Sequence, residues 1–179
     1  MGVLDSYAID SYKIDGAIGN IESIQHGTAS IVSNAKSAII NINSVDASKS
    51  IVLLTWRSED FYVGDMPTAK IISNTQVRFD RGYNSSNSTY IRWTVIEFKN
   101  VRSKQSGEAY NSTSGQTDVT ISSVNISKSI LIGTMRRYSS DTDLRYAMYT
   151  VEFVSSTQIR FTFEGIMNTY LVWQVVEFD

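Results

Sequence analysis

Few side chains in this sequence have the types and spacing that catalysis requires. His26 is the only histidine, and the chain has no cysteine. A Ser-His-Asp triad would therefore depend on His26 alone, without a nucleophile-elbow motif beside it. A zinc site needs three or four His, Cys or carboxylate ligands, which one histidine does not supply. We expect His26 to be a turn or surface residue, and we predict no catalytic residues, no metal site and no cofactor.

Two glutamates are the carboxylates most in need of a partner. Glu97 and Glu177 hold the same place in two similar segments, in phase with the core-facing side of a strand. An unpaired buried charge is costly, so each should reach the sheet rim or pair with a cation. The predicted partners are Arg57 for Glu97 and Arg136 for Glu177, with Lys49 and Lys128 as second candidates. Paired glycosidase carboxylates are the catalytic alternative, but a duplicated structural residue explains the two positions more simply.

Tyrosine is the third residue type with a role in binding. The chain has ten tyrosines, several of them in predicted loops or near the N-terminus. Tyrosine in a loop supplies contact area at little entropic cost, and it suits a protein interface and a sugar equally. The candidate interface residues are Tyr7, Tyr12, Tyr62, Tyr83 and Tyr138.

An internal repeat places these residues. The segment Trp93–Phe98 (WTVIEF) returns as Trp173–Phe178 (WQVVEF) about 80 residues later, which indicates a duplicated domain. Three other pairs recur in the same order: Ser44–Ile51 with Ser123–Ile130, Thr75–Phe79 with Thr157–Phe161, and Gln25–Gly27 with Gln105–Gly107. We predict an extended N-terminal arm (1–20), a first β-domain (21–100) and a second β-domain (101–179). The arm could clasp a neighbouring subunit or fold back on its own domain.

Apolar residues within each repeat alternate as they do in short strands. The predicted core-facing residues are Val77, Phe79, Ile91, Trp93 and Val95 in repeat 1, and Ile159, Phe161, Phe163, Leu171, Trp173 and Val175 in repeat 2. The continuous apolar run Ile51–Trp56 predicts a strand buried on both faces. With turn residues every 8–12 positions, the pattern predicts an all-β chain of two tandem antiparallel sandwiches or barrels.

The last strand of each repeat also carries apolar residues on the face opposite its core stripe. These residues are Ile96 and Phe98 in repeat 1, and Val176 and Phe178 in repeat 2. We expect them to meet the other repeat or another subunit.

Composition excludes several classes of function. The net charge is −2 and no cluster of Lys or Arg forms a phosphate track, so nucleic acid is an unexpected partner. The absence of cysteine excludes a disulfide scaffold, and no apolar run approaches the length of a membrane span. The polar, weakly charged surface suits close contact with proteins or sugars.

The shared segments resemble a repeat found in tailed-bacteriophage virion proteins and related prophage proteins. Copies of that repeat close on Trp-x-Val-Val-Glu-Phe and reopen on Gln-x-Gly, as Trp173–Phe178 and Gln105–Gly107 do here. The resemblance covers residues 21–179 and implies a structural role without catalytic residues. The arm has no counterpart in that repeat, so the resemblance does not imply a place in the virion.

The resemblance and the composition lead to two expectations. The first is a non-enzymatic virion protein, most concretely a head decoration or cement protein that clamps capsid subunits. It would act with the major capsid protein and as a homo-oligomer, for which a trimer would give six equivalent domains. The second is a tail or fibre module that binds host-surface carbohydrate through its tyrosine-rich loops.

Overall fold

The fold is all-β, as the alternation predicts. The structure is a computed structural model, and it describes residues 19–59, 62–112, 115–140, 142–165 and 168–179. The predicted arm lies almost wholly outside the described residues, as do Tyr7 and Tyr12. The strands of each repeat fall within the predicted ranges 21–100 and 101–179, while independent folding of each range stays a prediction.

Among the residues that the structure describes, each repeat contributes six strands. In repeat 1 they are β1 (Ile21–Ile31), β2 (Ser37–Asn41), β3 (Ser50–Ser58), β4 (Pro67–Ser73), β5 (Gln76–Arg81) and β6 (Thr89–Phe98). In repeat 2 they are β7 (Val101–Asn111), β8 (Gln116–Thr120), β9 (Ser129–Arg137), β10 (Tyr149–Ser155), β11 (Gln158–Phe163) and β12 (Thr169–Phe178). Short 3-10 helices at Val63–Asp65, Ile126–Lys128 and Leu144–Ala147 lie in the connections.

The twelve strands form four antiparallel sheets of three strands each. Repeat 1 has sheet A, in the order β1-β6-β3, and sheet B, in the order β2-β5-β4. Repeat 2 has the corresponding sheet C, β7-β12-β9, and sheet D, β8-β11-β10. The final strand of each repeat is therefore the centre of its sheet, which explains why Trp93–Phe98 and Trp173–Phe178 are the strongest repeated segments.

The core of each sandwich is made by the predicted stripes. Val77 and Phe79 from sheet B meet Trp93 and Val95 from sheet A, and all four are buried. The equivalent residues of repeat 2 form a second buried cluster. The period-2 prediction is confirmed for every one of the core-facing residues named above.

The repeated Gln-x-Gly segment is explained by the tryptophans. A Cβ added to Gly27 would lie 2.7 Å from Cζ2 of Trp93, and one added to Gly107 would lie 2.7 Å from Cζ2 of Trp173. Because a carbon that close overlaps the ring, only glycine lets the indole lie flat against the neighbouring strand. The glycine and the tryptophan are thus one structural unit, 66 positions apart in each repeat.

The prediction that Ile51–Trp56 is buried on both faces is wrong beyond Val52. Ile51 and Val52 are buried, but Leu53 is 37% exposed and Thr55 is exposed. The reason is that the apolar cluster shared with repeat 2 buries the outward face of β3 only at Ile51. Past that point the strand has one face toward the core and one toward solvent.

The expected contact of the second apolar faces with the other repeat is confirmed. A separate cluster contains Ile51, Phe98 and Val176, with Ile96 and Phe178 partly buried around it. The rings of Phe98 and Phe178 meet edge to face at 5.1 Å between centroids. Edge-to-face pairs of this kind add to the stabilisation that apolar burial provides.

Candidate functional site

The predicted ion pairs between Glu97 and Arg57, and between Glu177 and Arg136, are wrong. In the β3–β6 pair, Arg57 lies opposite Tyr90 while Glu97 lies opposite Ser50. Strands rise about 3.3 Å per residue, so seven residues put the two side chains about 23 Å apart. Arg136 and Glu177 lie in the same way at opposite ends of the β9–β12 pair.

Each of the two glutamates instead accepts a backbone hydrogen bond from a turn of its own repeat. Glu97 Oε1 accepts a hydrogen bond from the backbone N–H of Asp46 at 2.9 Å, and its Oε2 accepts one from the Ser23 hydroxyl at 3.0 Å. Glu177 accepts from the N–H of Asn125 at 2.9 Å and from the Ser103 hydroxyl at 3.1 Å. The backbone hydrogen bond from Asn125 is the main cause that lowers the pKa of Glu177, although burial opposes it.

The second-choice lysines are not hydrogen-bonded partners of these carboxylates. Lys49 Nζ lies 3.8 Å from Asp46, within the turn itself. Lys128 acts on Glu177 only as a nearby positive charge that helps to lower its pKa, and Arg102 lies 3.9 Å from that carboxylate. The duplication correctly indicated that both glutamates serve one role, but that role is to accept backbone hydrogen bonds.

The repeated glutamines have a matching structural role. The side-chain amide of Gln25 donates to the carbonyl of Asn43 at 3.0 Å and accepts from its N–H at 2.8 Å. Gln105 makes the same two bonds to Ser122, at 3.0 and 2.6 Å. Each side-chain amide thus bonds the backbone N–H and C=O of one residue, as a neighbouring strand would. The residues that the two repeats share therefore build the fold, and the candidate site has to be sought where the repeats differ.

His26 lies on β1, exposed, opposite Thr94 of β6. It borders a shallow cleft of about 460 Å³ with Asn41 and Asn43. Within the described residues, no group of three or more histidine or acidic side chains is placed to hold a metal ion.

Two of the candidate interface tyrosines meet each other across the repeats. Tyr83 and Tyr138 pack edge to face with 5.8 Å between ring centroids, and Lys36 Nζ lies 5.3 Å from the Tyr138 ring. The two loops approach so closely that a Cβ on Gly82 would lie 1.9 Å from the carbonyl oxygen of Arg137. Tyr62, half-buried, immediately precedes the Val63–Asp65 helix.

A polar contact between the repeats, here called the junction, forms where the β3–β4 edge of repeat 1 packs on the outer face of sheet C. The amide of Gln174 donates to the carbonyl of Val52 at 2.9 Å and accepts from its N–H at 3.0 Å. Arg136 donates to the Thr68 hydroxyl at 2.8 Å and to Glu108 at 2.7 Å. Lys70 pairs with the other oxygen of Glu108.

The junction is desolvated enough to shift pKa values. Burial alone would raise the pKa of Glu108, but the hydrogen bond from Lys70 and the charges of Arg136 and Lys70 lower it below its usual value. Burial lowers the pKa of Lys104 to about 8, against the attraction of Asp46. The Lys104 ammonium donates to the carbonyl of Ala47 at 2.7 Å. The sequence reasoning missed Gln174, Glu108, Lys70 and Lys104 because each differs from its counterpart in the other repeat.

The outer face of sheet A is the open counterpart of the covered face of sheet C. Both faces end in an arginine stacked on a tyrosine: Arg136 lies 4.5 Å from the Tyr170 centroid, and Arg57 lies 4.3 Å from the Tyr90 centroid. In sheet A the stacked pair of Arg57 and Tyr90 borders a cleft of about 530 Å³. The polar residues that line the cleft are Thr28, Ser30, Thr55, Arg57, Tyr90 and Arg92.

Hydrogen bonds fix one wall of this cleft. The Tyr90 hydroxyl donates to Glu59 at 2.9 Å, and the backbone N–H of Ser88 donates to the other oxygen of Glu59 at 3.0 Å. The bond from Ser88 is the main cause that lowers the pKa of Glu59, and the bond to Glu59 raises the pKa of Tyr90. In the described part of the chain, no carboxylate lies within salt-bridge distance of Arg57 or Arg92. The cleft therefore offers two arginines, an aromatic ring and several hydroxyls to a carboxylate or a polyol.

None of the described helices has the length and apolar character of a membrane span. Comparisons with protein-family models, with curated proteins and with solved structures found no significant match to this chain.

Proposed function

We propose that this chain is a non-enzymatic structural protein of a tailed-bacteriophage virion. In its most concrete form it is a head decoration protein that binds across neighbouring capsid subunits. The observation that supports the proposal most is the junction, in which one sandwich docks its edge on the sheet face of the next. A chain that joins its own domains edge to face presents the same kinds of surface to other proteins.

The shared residues support the same conclusion. The glycine–tryptophan units, the glutamates and the glutamines that recur in both repeats all make scaffold contacts. The parts that differ are outer faces and edges, which are the surfaces that contact a partner. This division is expected of a domain duplicated for assembly, since the fold is kept while the contact surfaces diverge.

Location and copy number in the particle test the proposal. We expect quantitative mass spectrometry of purified virions of the phage that encodes this chain to find it in hundreds of copies. A cryo-EM map should place it on the outer surface of the head, over boundaries between capsid subunits. Absence of the chain from purified particles would contradict a virion role altogether.

A carbohydrate-binding tail or fibre module is the second candidate, and the cleft on sheet A favours it. An exposed aromatic ring next to arginines and hydroxyls can stack on a sugar and bind its hydroxyl groups. Glycan-array binding that Tyr90→Ala and Arg92→Ala both abolish, with only a few copies per particle, would support this candidate over head decoration.

A further inference from the structure

The junction has two sides, and each side has a counterpart elsewhere in the chain whose matching residues are exposed: Met148, Thr150 and Glu152 on the edge, and Thr28 and Arg92 on the face. The β9 strand itself also contacts β4 and the Val63–Asp65 helix of repeat 1. The β3–β4 edge of repeat 1 corresponds to the β9–β10 edge of repeat 2, and the covered face of sheet C corresponds to the open face of sheet A. We propose that the β9–β10 edge of one copy of this chain docks on the outer face of sheet A of a second copy, in the manner of the junction. This self-association goes beyond the virion assignment and does not depend on it.

The two methionines that begin the edge show the difference in burial. Met66 directly precedes β4 and Met148 directly precedes β10, each closing a 3-10 helix. Met66 is 5% exposed because it packs into the core cluster of repeat 2, whereas Met148 is 67% exposed. An apolar side chain left this exposed at the position where its counterpart is buried indicates a contact that remains to be filled.

The backbone of β9 repeats the feature that Gln174 satisfies in β3. Leu131 pairs with Val175 as Val52 pairs with Val95, so the outward N–H and C=O of Leu131 correspond to those of Val52. No side chain of the described residues takes the place of Gln174 at Leu131. Thr94 stands at the position of Gln174 on sheet A, and its hydroxyl, on a shorter side chain, could bond one of these groups if the edge packs closer than it does at the junction.

The charges on the two free surfaces are opposite. At the junction, Lys70 of the edge meets Glu108 of the face. Glu152 is the counterpart of Lys70, since it pairs with Arg160 as Lys70 pairs with Arg78. The face of sheet A has Thr28 where sheet C has Glu108, and it carries Arg92 where sheet C has Val172. Relative to the junction, the β9–β10 edge therefore carries an anion in place of a cation, and the face of sheet A carries a cation in place of an anion.

A further contact of the junction is replaced by an apolar pair. Lys104 reaches from sheet C to the carbonyl of Ala47. The counterpart of Lys104 on sheet A is Ile24, which is 54% exposed, and the counterpart of Ala47 is Ile126, which is 43% exposed. Both members of this contact are therefore apolar side chains, where the junction has an ammonium and a backbone carbonyl. Chance substitution would not be expected to keep the charge, hydrogen-bond and apolar positions complementary at once.

The contact joins two different surfaces, so each copy would contribute one edge and one face. Such a head-to-tail contact closes into a ring when the rotation per step divides a full turn, and otherwise it extends into a filament. Either product has a mass that is a multiple of the 20.0 kDa chain.

Sedimentation velocity of the purified full-length chain over about a hundredfold range of concentration tests this proposal. We expect association of the wild type, and loss of association in Glu152→Arg and in Arg92→Glu. The double variant Glu152→Arg/Arg92→Glu should restore it, since the charges are exchanged. Glu164→Arg, which makes the same change of charge on an exposed loop outside this surface, is the matched control and should associate like the wild type.

Met148→Lys is the second test, because a side chain this exposed can be replaced without disturbing the monomer. Circular dichroism and the melting temperature show whether each variant is folded. A wild type that stays monomeric throughout overturns the proposal, whether or not the cleft binds a glycan. Association that survives both Glu152→Arg and Met148→Lys also overturns it, since the copies would then meet through another surface.

Discussion

Two buried arginines in this chain should respond in opposite ways to the same substitution. Arg81, in β5, lies fully buried and donates to Asp65 at 3.1 Å. It also donates to the carbonyls of Ala35 at 2.8 Å and Asn87 at 2.6 Å. Arg137, at the end of β9, is equally buried, but its three guanidinium nitrogens have no hydrogen-bond partner among the described residues.

The magnitudes follow from what each substitution leaves behind. Arg81→Met leaves the buried carboxylate of Asp65 without its arginine partner. Removing one member of a buried ion pair costs about 3–5 kcal/mol of stability. Arg137→Met removes a cation stacked 5.0 Å from the Phe163 ring, a contact worth about 2 kcal/mol in a desolvated site. The desolvation penalty of an ion amounts to several kcal/mol, so we expect Arg137→Met to leave stability unchanged or raise it by about 1–3 kcal/mol.

Urea unfolding followed by circular dichroism measures both changes from the midpoints and slopes. Arg81→Met should also lower the melting temperature by about 10 °C, since about 1 kcal/mol shifts it by 2–4 °C in a chain of this size. Each variant serves as the control for the other, because charge and volume change alike. If Arg137→Met destabilises the fold as much as Arg81→Met does, then Arg137 is paired in solution and our reasoning is refuted.

Three further predictions concern the repeats and their junction. Gly107→Ala should cost about 1–3 kcal/mol of stability, because its methyl group would overlap the ring of Trp173, and an unchanged melting temperature would contradict the close contact. Gln174→Ala should cost about 1–3 kcal/mol by leaving the N–H and C=O of Val52 unpaired, and faster amide exchange at Val52 would confirm the cause. Lys104 has a pKa of about 8 in the folded chain, below its unfolded value of 10.5. Between these pH values the unfolded chain binds more protons, so wild-type stability should rise with pH relative to Lys104→Met, and parallel pH profiles would contradict the shift.

The sequence predicted the fold well where one strand alone carried the signal. Trp93 and Val95 alternate with polar residues, and that period places them in the core whatever their neighbours are. The partners of Glu97 were predicted wrongly because duplication shows that two residues have the same role, and it does not show which atoms they contact. The acceptor role was visible only as a serine in β1 and an Asp or Asn in the turn, present in both copies.

The junction could not be predicted because it depends partly on positions where the repeats differ, and partly on matching residues that only one repeat buries. Gln174 corresponds to Thr94, and only the structure shows that the longer amide reaches Val52. Met66 and Met148 are the same residue type at the same position, yet one is buried and the other is exposed. No local pattern distinguishes them, because the difference comes from the other repeat.

The pairing of β1 with β6 has a consequence for how the chain folds during synthesis. Ile21 lies opposite Phe98, and Val101 lies opposite Phe178. The first strand of each repeat can therefore pair only after the last strand of that repeat has been synthesised. Until β6 emerges from the ribosome, β1 and β3 have no partner between them and expose their apolar faces. Contacts this distant in sequence form slowly and leave the nascent chain open to aggregation. We expect repeat 1 to close while repeat 2 is still being made, so that its β3–β4 edge is already in place when the outer face of sheet C forms.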